Sequence, residues 1–180
     1  MAEVHERLAT VDGSARIHRG FGLVTLEVAA DRWVSAATAL HDRDDLGFGF
    51  FDWLSAYEDA GDFIVAAHLW SISGRCAVLL RTRIPSARPQ LDSLTSVWAG
   101  ADWHERETHE MFGIDFPGHA NLAPLLLPDG FEGNPLRKDF VLAARRRDWP
   151  GALDPDPAVT SGRRRLVPPG AGDPPTPGPA

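Results

Sequence analysis

A chain of 180 residues with 43% hydrophobic content carries enough apolar mass for one domain, or one domain and a tail, and is not disordered throughout. A formal charge of −7 argues against a generic polyanion binder, which needs a concentrated basic surface. The single cysteine, Cys76, excludes an internal disulfide and any four-cysteine zinc or iron–sulfur site within this chain, so a redox centre would have to belong to a partner.

The first twenty residues, MAEVHERLATVDGSARIHRG, place charges where a secretory signal needs an apolar run, and a cytosolic location is expected. Residues 21–28 (FGLVTLEV) alternate, with Val24, Leu26 and Val28 on one side and Thr25 and Glu27 on the other, as in a half-buried strand. A helix should begin at Asp31, because Trp33, Ala37 and Leu40 recur at helical spacing, and the Asp-rich stretch 42–45 with Gly47 should close it.

Residues 50–57, 63–72 and 76–84 read as three strands, with Arg81 and Arg83 facing away from Val78 and Leu80. Ser73 and Gly74 suggest a tight hairpin turn between the last two. Pro85 and Pro89 then interrupt the chain, and Leu91, Leu94 and Trp98 mark a helix over 90–99.

The order strand, helix, strands, helix predicts an α+β fold. It would be a two-layer domain with a mainly antiparallel or mixed sheet and helices packed on one side, followed by an irregular C-terminal segment. The longest apolar runs, 64–67 and 122–127, fall far below the ~20 residues of a membrane helix.

The expected division is a domain over 1–142 and a tail over 143–180. Nine of the fifteen prolines fall from Pro150 to Pro179, so the tail should be extended or disordered, or ordered only against a partner. The triplets at 145–147 and 163–165 are basic exceptions, expected as solvated flanks or docking contacts rather than a nucleic-acid site.

The segment 103–140 is the most informative. Asp102 as N-cap, Glu105 at the capping-box position and Gly113 as the stop predict one helix over 103–112. At ~100° per residue, Glu110, Trp103, Glu107 and Met111 share one sector of that helix. Two carboxylates beside apolar anchors need a partner, since burying one unpaired costs several kcal/mol. The expectation is that Glu107 or Glu110 pairs with Arg137, whose planar fork suits a carboxylate.

HERETH imitates a zinc helix, but His104 and His109 are five apart and point ~140° from each other, where an i,i+4 pair would converge. Neither a phosphate loop nor a nucleophile elbow is present, because the glycines lack the required spacing and context. After Gly113 the run IDFPGHANLAPLLLPDGFEGNPLRKDF is rich in Pro and Gly and should be irregular. Its Phe116, Leu122, Leu125, Leu126, Leu127, Phe131, Leu136 and Phe140 should lie against the domain or a second protein.

WHERETHEMFGIDFPGHANL followed by LLLPDGFEGNPLRKDF closely resembles the signature of the thirty-kilodalton subunit family of respiratory complex I, the C component of bacterial NADH-quinone oxidoreductases. It has the Glu-Arg-Glu helix, the Met-Phe-Gly-Ile exit, the Gly-His turn and the Pro-Leu-Arg-Lys-Asp-aromatic ending in the family's order. SLTSVWAGADW and FDWLSAYED extend the likeness over most of 21–140. Glu110 stands where the family usually has Asp, Ala120 where Pro is common, and Ala123 and Pro124 where basic residues are frequent.

The resemblance implies a structural, non-catalytic subunit of the peripheral arm of a proton-translocating NADH:quinone oxidoreductase. It would hold no cofactor of its own. Partner subunits would carry FMN and iron–sulfur clusters, with NADH and a quinone as substrates. Its chief neighbour would be the large forty-nine-kilodalton-type subunit of the quinone site, on the cytoplasmic side of the bacterial cell membrane and touching that membrane only through the complex.

The implied motif positions are Glu105, Arg106, Glu107, Phe112, Gly113, His119, Pro135, Leu136, Arg137, Lys138, Asp139 and Phe140. Trp103, Glu110, Met111 and Leu122 join them as structural and interface residues. Competing readings are the equivalent subunit of a membrane-bound hydrogenase or of a dehydrogenase with another donor. From other classes come an autonomous metal-dependent hydrolase using His104, Glu105 and His119, and a nucleic-acid adaptor working through the arginine-rich tail.

Overall fold

In the computed structural model, residues 2–20 and 22–140 are described; residues 1, 21 and 141–180, with the expected tail and both arginine triplets, lie outside them. The element order is α1 (Ala2–Ala9), β1 (Arg16–Gly20), β2 (Leu23–Glu27), a 3-10 turn (Ala30–Arg32), α2 (Trp33–Asp42), β3 (Phe50–Asp59), β4 (Asp62–Ser71), β5 (Cys76–Pro85) and α3 (Ala101–Phe112).

The five strands form one sheet in the order β1-β2-β5-β4-β3. β2 runs parallel to β5, and the other neighbours are antiparallel, so the sheet is mixed. β2 and β5 can pair in parallel because α2 and the β3–β4 hairpin fill the connection between them.

Alternation sends Val24 and Leu26 of β2, Phe63, Val65, Ala67 and Leu69 of β4, and Val78, Leu80 and Ile84 of β5 into one core. On the helical side that core takes Trp33, Ala36, Ala37 and Leu40 of α2, the i, i+3, i+4, i+7 stripe of an amphipathic helix. Full burial of each large apolar side chain contributes about 1.5–3 kcal/mol. The one buried hydroxyl of β5, on Thr82, is satisfied by the Val28 carbonyl at 2.9 Å.

The α+β class, the two layers and the mixed sheet agree with the sequence reading, but not every local feature does. The helix expected over 90–99 is absent. Leu91, Leu94 and Trp98 are buried as their spacing suggested, but the chain there is extended and then turns. Its amides are taken across the chain: Leu91 N–H donates to the Asp115 carbonyl and Ser93 N–H to the Pro117 carbonyl, each at 2.9 Å.

α1 and β1 were not foreseen. β1 (RIHRG) is an edge strand, largely exposed, whose charged side chains hide its weak alternation. The turn between β4 and β5 spans four residues, and the left-handed position falls on Arg75 (φ +47°) rather than on Gly74.

β3 carries a bulge between Phe51 and Trp53. One residue out of register moves Trp53, Ser55 and Tyr57 onto the same outer face as Phe50, while Phe51, Leu54 and Ala56 face the core. Simple alternation along β3 therefore misassigns half of it.

Candidate functional site

α3 starts without a side-chain cap. Gly100 is its N-cap in helical conformation, with no side-chain hydrogen bond. The capping box expected of Asp102 and Glu105 is absent because both carboxylates are engaged elsewhere. Asp102 faces His119, with Nε2 to Oδ1 at 3.3 Å, and Glu105 turns inward.

The buried side of α3 is Ala101, Glu105, Thr108 and Phe112, again at helical spacing. Phe112 meets Phe63 edge-on, with ring centroids 6.0 Å apart. Trp103 is 62% exposed and Glu107 is exposed too, so the expected sector of Trp103, Glu107, Glu110 and Met111 is not the packing face. Met111 is partly buried against the core, and the Arg106 guanidinium lies 5.7 Å from the Trp103 ring centroid.

Glu105 is fully buried. Ser93 Oγ donates to Oε2 and Leu94 N–H to Oε1, both at 2.6 Å, so one carboxyl holds the 93–95 turn to the helix. Burial pushes its pKa up, and the bonds from Ser93 and Leu94 and the nearby His119 only partly oppose that.

Glu110 has a different environment. Leu126 N–H donates to Oε2 and Leu127 N–H to Oε1 at 2.8 Å, and Leu125 N–H lies 3.3 Å from both oxygens. Burial raises its pKa, but the three amides, joined by Arg106, outweigh burial and hold the carboxyl below the ordinary range.

The ion pair expected between Glu107 or Glu110 and Arg137 is therefore replaced by an anion nest of backbone amides. Arg137 binds Asp139 (Nε to Oδ1, 3.0 Å), which holds that carboxyl low. It also donates to the Phe112 carbonyl at 3.4 Å and lies 5.3 Å from the Phe63 ring centroid.

The C-terminus of α3 shows why the loop ends in Asn-Pro-Leu-Arg. The last four carbonyls of a helix have no partner within it. Here Gly113 N–H caps His109, Asn134 Nδ2 caps Glu110, Leu136 N–H caps Met111 and Arg137 caps Phe112. Gly113 has φ +73°, and a Cβ there would sit 2.7 Å from Asn134 Oδ1, so both conformation and space require glycine. Pro135 is partly buried between these contacts, and Leu136 is 56% exposed.

The remaining signature residues extend the clasp. Arg106 donates to the carbonyls of Ala123 (2.9 Å) and Pro124 (3.0 Å). His119, its side chain fully buried, accepts from Asn121 N–H at Nδ1 and points Nε2 at the Asp102 carbonyl, 3.2 Å away. Lys138 donates from its amide to Glu58 Oε1 and from Nζ to the Glu58 carbonyl, both at 3.1 Å, fixing the loop to the end of β3. Phe140 stacks on Phe131, and Leu122 is partly buried against the core.

A cleft of about 380 Å³ opens beside Glu110, walled by Leu122, Leu127, Pro128, Phe131 and Asn134. The three histidines turn to separate neighbours: His104 to the Phe51 ring, His109 to the Ile114 carbonyl at 2.8 Å, and His119 to Asp102. Among the described residues no group of three His, Cys, Asp or Glu side chains could hold a metal ion. Asn134 and Ser93 were not singled out from the sequence, and Leu94 was read only as an apolar helix marker. Asn134 stands ahead of a proline in a Gly-rich run, which signals a turn but not the helix end that it caps.

The chain has relatives among known proteins. The C component of NADH-quinone oxidoreductase from Roseiflexus sp. (strain RS-1) is 40% identical over 126 residues, covering 68% of this chain and 72% of that protein. The fold matches a chain of an archaeal respiratory membrane complex, the membrane-bound sulfane sulfur reductase. That match has TM-score 0.70 and 21% identity, covering 79% of this chain and 86% of the other. It also matches a trypsin-resistant fragment of Nqo5, with TM-score 0.55 and 24% identity, covering 67% and 97%. The model of the respiratory-chain NADH dehydrogenase 30 kDa subunit matches residues 26–146, and the chain belongs to that family.

Proposed function

We propose that this chain is a non-catalytic structural subunit of the peripheral arm of a proton-translocating NADH:quinone oxidoreductase. Electrons would pass from NADH through FMN and iron–sulfur clusters in partner subunits to a quinone. This chain holds the arm together and carries no centre itself. The observation that supports the reading is the use made of the signature's polar side chains. Glu110, Arg106, Arg137 and Lys138 bind backbone groups that fix the loop after Gly113 to α3 and β3, and Glu105 binds the 93–95 turn to α3. None faces another as an acid–base or nucleophilic pair would.

In this reading residues 103–140 form the structural and interface segment, and the large forty-nine-kilodalton-type subunit is the chief neighbour. Residues 1–142 form the domain and 143–180 a tail outside it. The complex sits on the cytoplasmic side of the cell membrane, and no helix among the described residues is long and apolar enough to cross it.

Deletion of the gene tests the role. Membranes should lose NADH-dependent quinone reduction, while the flavin-bearing partner still passes electrons from NADH to a soluble artificial acceptor. Unchanged quinone reduction would contradict it, and loss of hydrogen- or other-donor-dependent reduction instead would assign the chain to a related complex.

A further inference from the structure

Among the described residues the helices pack with the core on one side of the sheet, and the opposite face carries exposed aromatic rings. The bulge in β3 brings Phe50, Trp53 and Tyr57 to that face, and Trp70 of β4 stands directly opposite Phe50. Ile64 and Ala66 of β4 also point outward, away from the core cluster, yet are almost completely covered by their neighbours. The Trp53 ring stacks on His68, with centroids 5.7 Å apart and planes 12° from parallel.

Several polar groups on and around this face are paired with one another. His68 Nδ1 lies 2.8 Å from Asp52 Oδ2, Arg81 binds Glu27, and Arg83 reaches Asp59 at 2.6 Å and Asp62 at 3.6 Å. A polyanion or a strongly charged partner therefore gains little from it. An apolar, charge-poor protein surface gains burial of aromatic rings, the composition of an interface core.

Area sets how far the contact has to extend. Phe50, Trp53, Tyr57 and Trp70 are 51%, 37%, 48% and 40% exposed. At ~150–250 Å² for each complete aromatic side chain they offer roughly 350 Å². A stable pair buries about 800 Å² per partner. The stripe alone falls well short of that for any partner, a second copy included, so the partner has to cover the stripe and continue past it.

We infer that the outer sheet face, centred on Trp53 and Trp70, docks an apolar, charge-poor surface of another member of the same complex. The inference rests on the proposed membership of a multisubunit enzyme and adds a second contact surface to the signature segment. It is tested with the tagged full-length chain in its native complex. Trp70→Glu should lower recovery of the flavin- and cluster-bearing subunits, identified by mass spectrometry, about tenfold or more, and Trp70→Phe should restore it.

Oxidative footprinting of the unsubstituted protein does not depend on the variant folding. Trp53 and Trp70 should be oxidised about fivefold less in the complex than in the free chain, as burial in an interface core implies. Equal oxidation in both states, or undiminished recovery with a normally folded Trp70→Glu chain, would overturn the inference. So would a homodimer of the free chain that Trp70→Glu converts to monomer. If the unsubstituted chain recovers no flavin-bearing partner, the functional reading itself has failed, and the inference with it.

Discussion

Replacing Glu110 by Gln keeps the size of the side chain and removes one acceptor oxygen and the charge. In the native protein the two oxygens share three amide donors from Leu125, Leu126 and Leu127. The amide –NH2 of Gln must face at least one of those N–H groups, donor against donor. Losing one charge-assisted bond costs about 1.5–3 kcal/mol, and weakening of the others brings the total to roughly 2–4 kcal/mol at pH 7.

The sign with pH follows from the direction of the shift. The folded carboxyl titrates below the ordinary 4.5, so its contribution is complete above that value and is lost as pH falls through the folded pKa. Urea unfolding of the full-length chain from pH 7 down to pH 3.5 measures both. The gap between native and Glu110→Gln should narrow below about pH 4.5. A difference under about 0.5 kcal/mol at pH 7, or one independent of pH, would refute the nest as the anchor of the loop.

Glu105→Gln should behave in the opposite sense. Its folded pKa is raised, so its stabilisation is present below the unfolded pKa near 4.5 and is lost as pH rises through the folded value. In denaturant titrations the variant should gain on the native protein between mildly acid and neutral pH. Gly113→Ala meets both a positive φ and Asn134 Oδ1, and should lower stability by about 1–3 kcal/mol, read as a fall in melting temperature. Arg137→Met removes the cap on Phe112 and the ring contact with Phe63, and should cost about 1–2 kcal/mol. Glu107→Gln, on an exposed side chain, should change stability by less than about 0.5 kcal/mol, the reverse of what an ion pair with Arg137 would require.

Where one periodicity governed an element, the sequence was readable. β2, β4, β5 and α2 could be placed because the side facing the core is mainly apolar, and Gly113 marked the end of α3 because the αL stop has a distinct residue preference. Failures occurred where backbone groups found partners far along the chain. Leu91 and Ser93 bond to the 115–117 segment, which no helical count over 90–99 can register.

Glu110 illustrates the same limit at the site. Its need for a partner was correctly inferred, but a nest of amides from Leu125 to Leu127 is invisible in side-chain identities, whereas Arg137 invites pairing on charge alone. The β3 bulge at 51–53 likewise decides which aromatic residues face outward without any glycine or proline to announce it.

Structural membership of a respiratory NADH:quinone oxidoreductase is read out by affinity purification of the tagged native chain from its own membranes. The expected result is stoichiometric recovery of the large quinone-site subunit with partners bearing FMN and iron–sulfur clusters, and NADH:quinone activity in the eluate. Recovery of the chain alone as a monomer, or with a hydrogenase large subunit that retains all its nickel-binding cysteines, would contradict it.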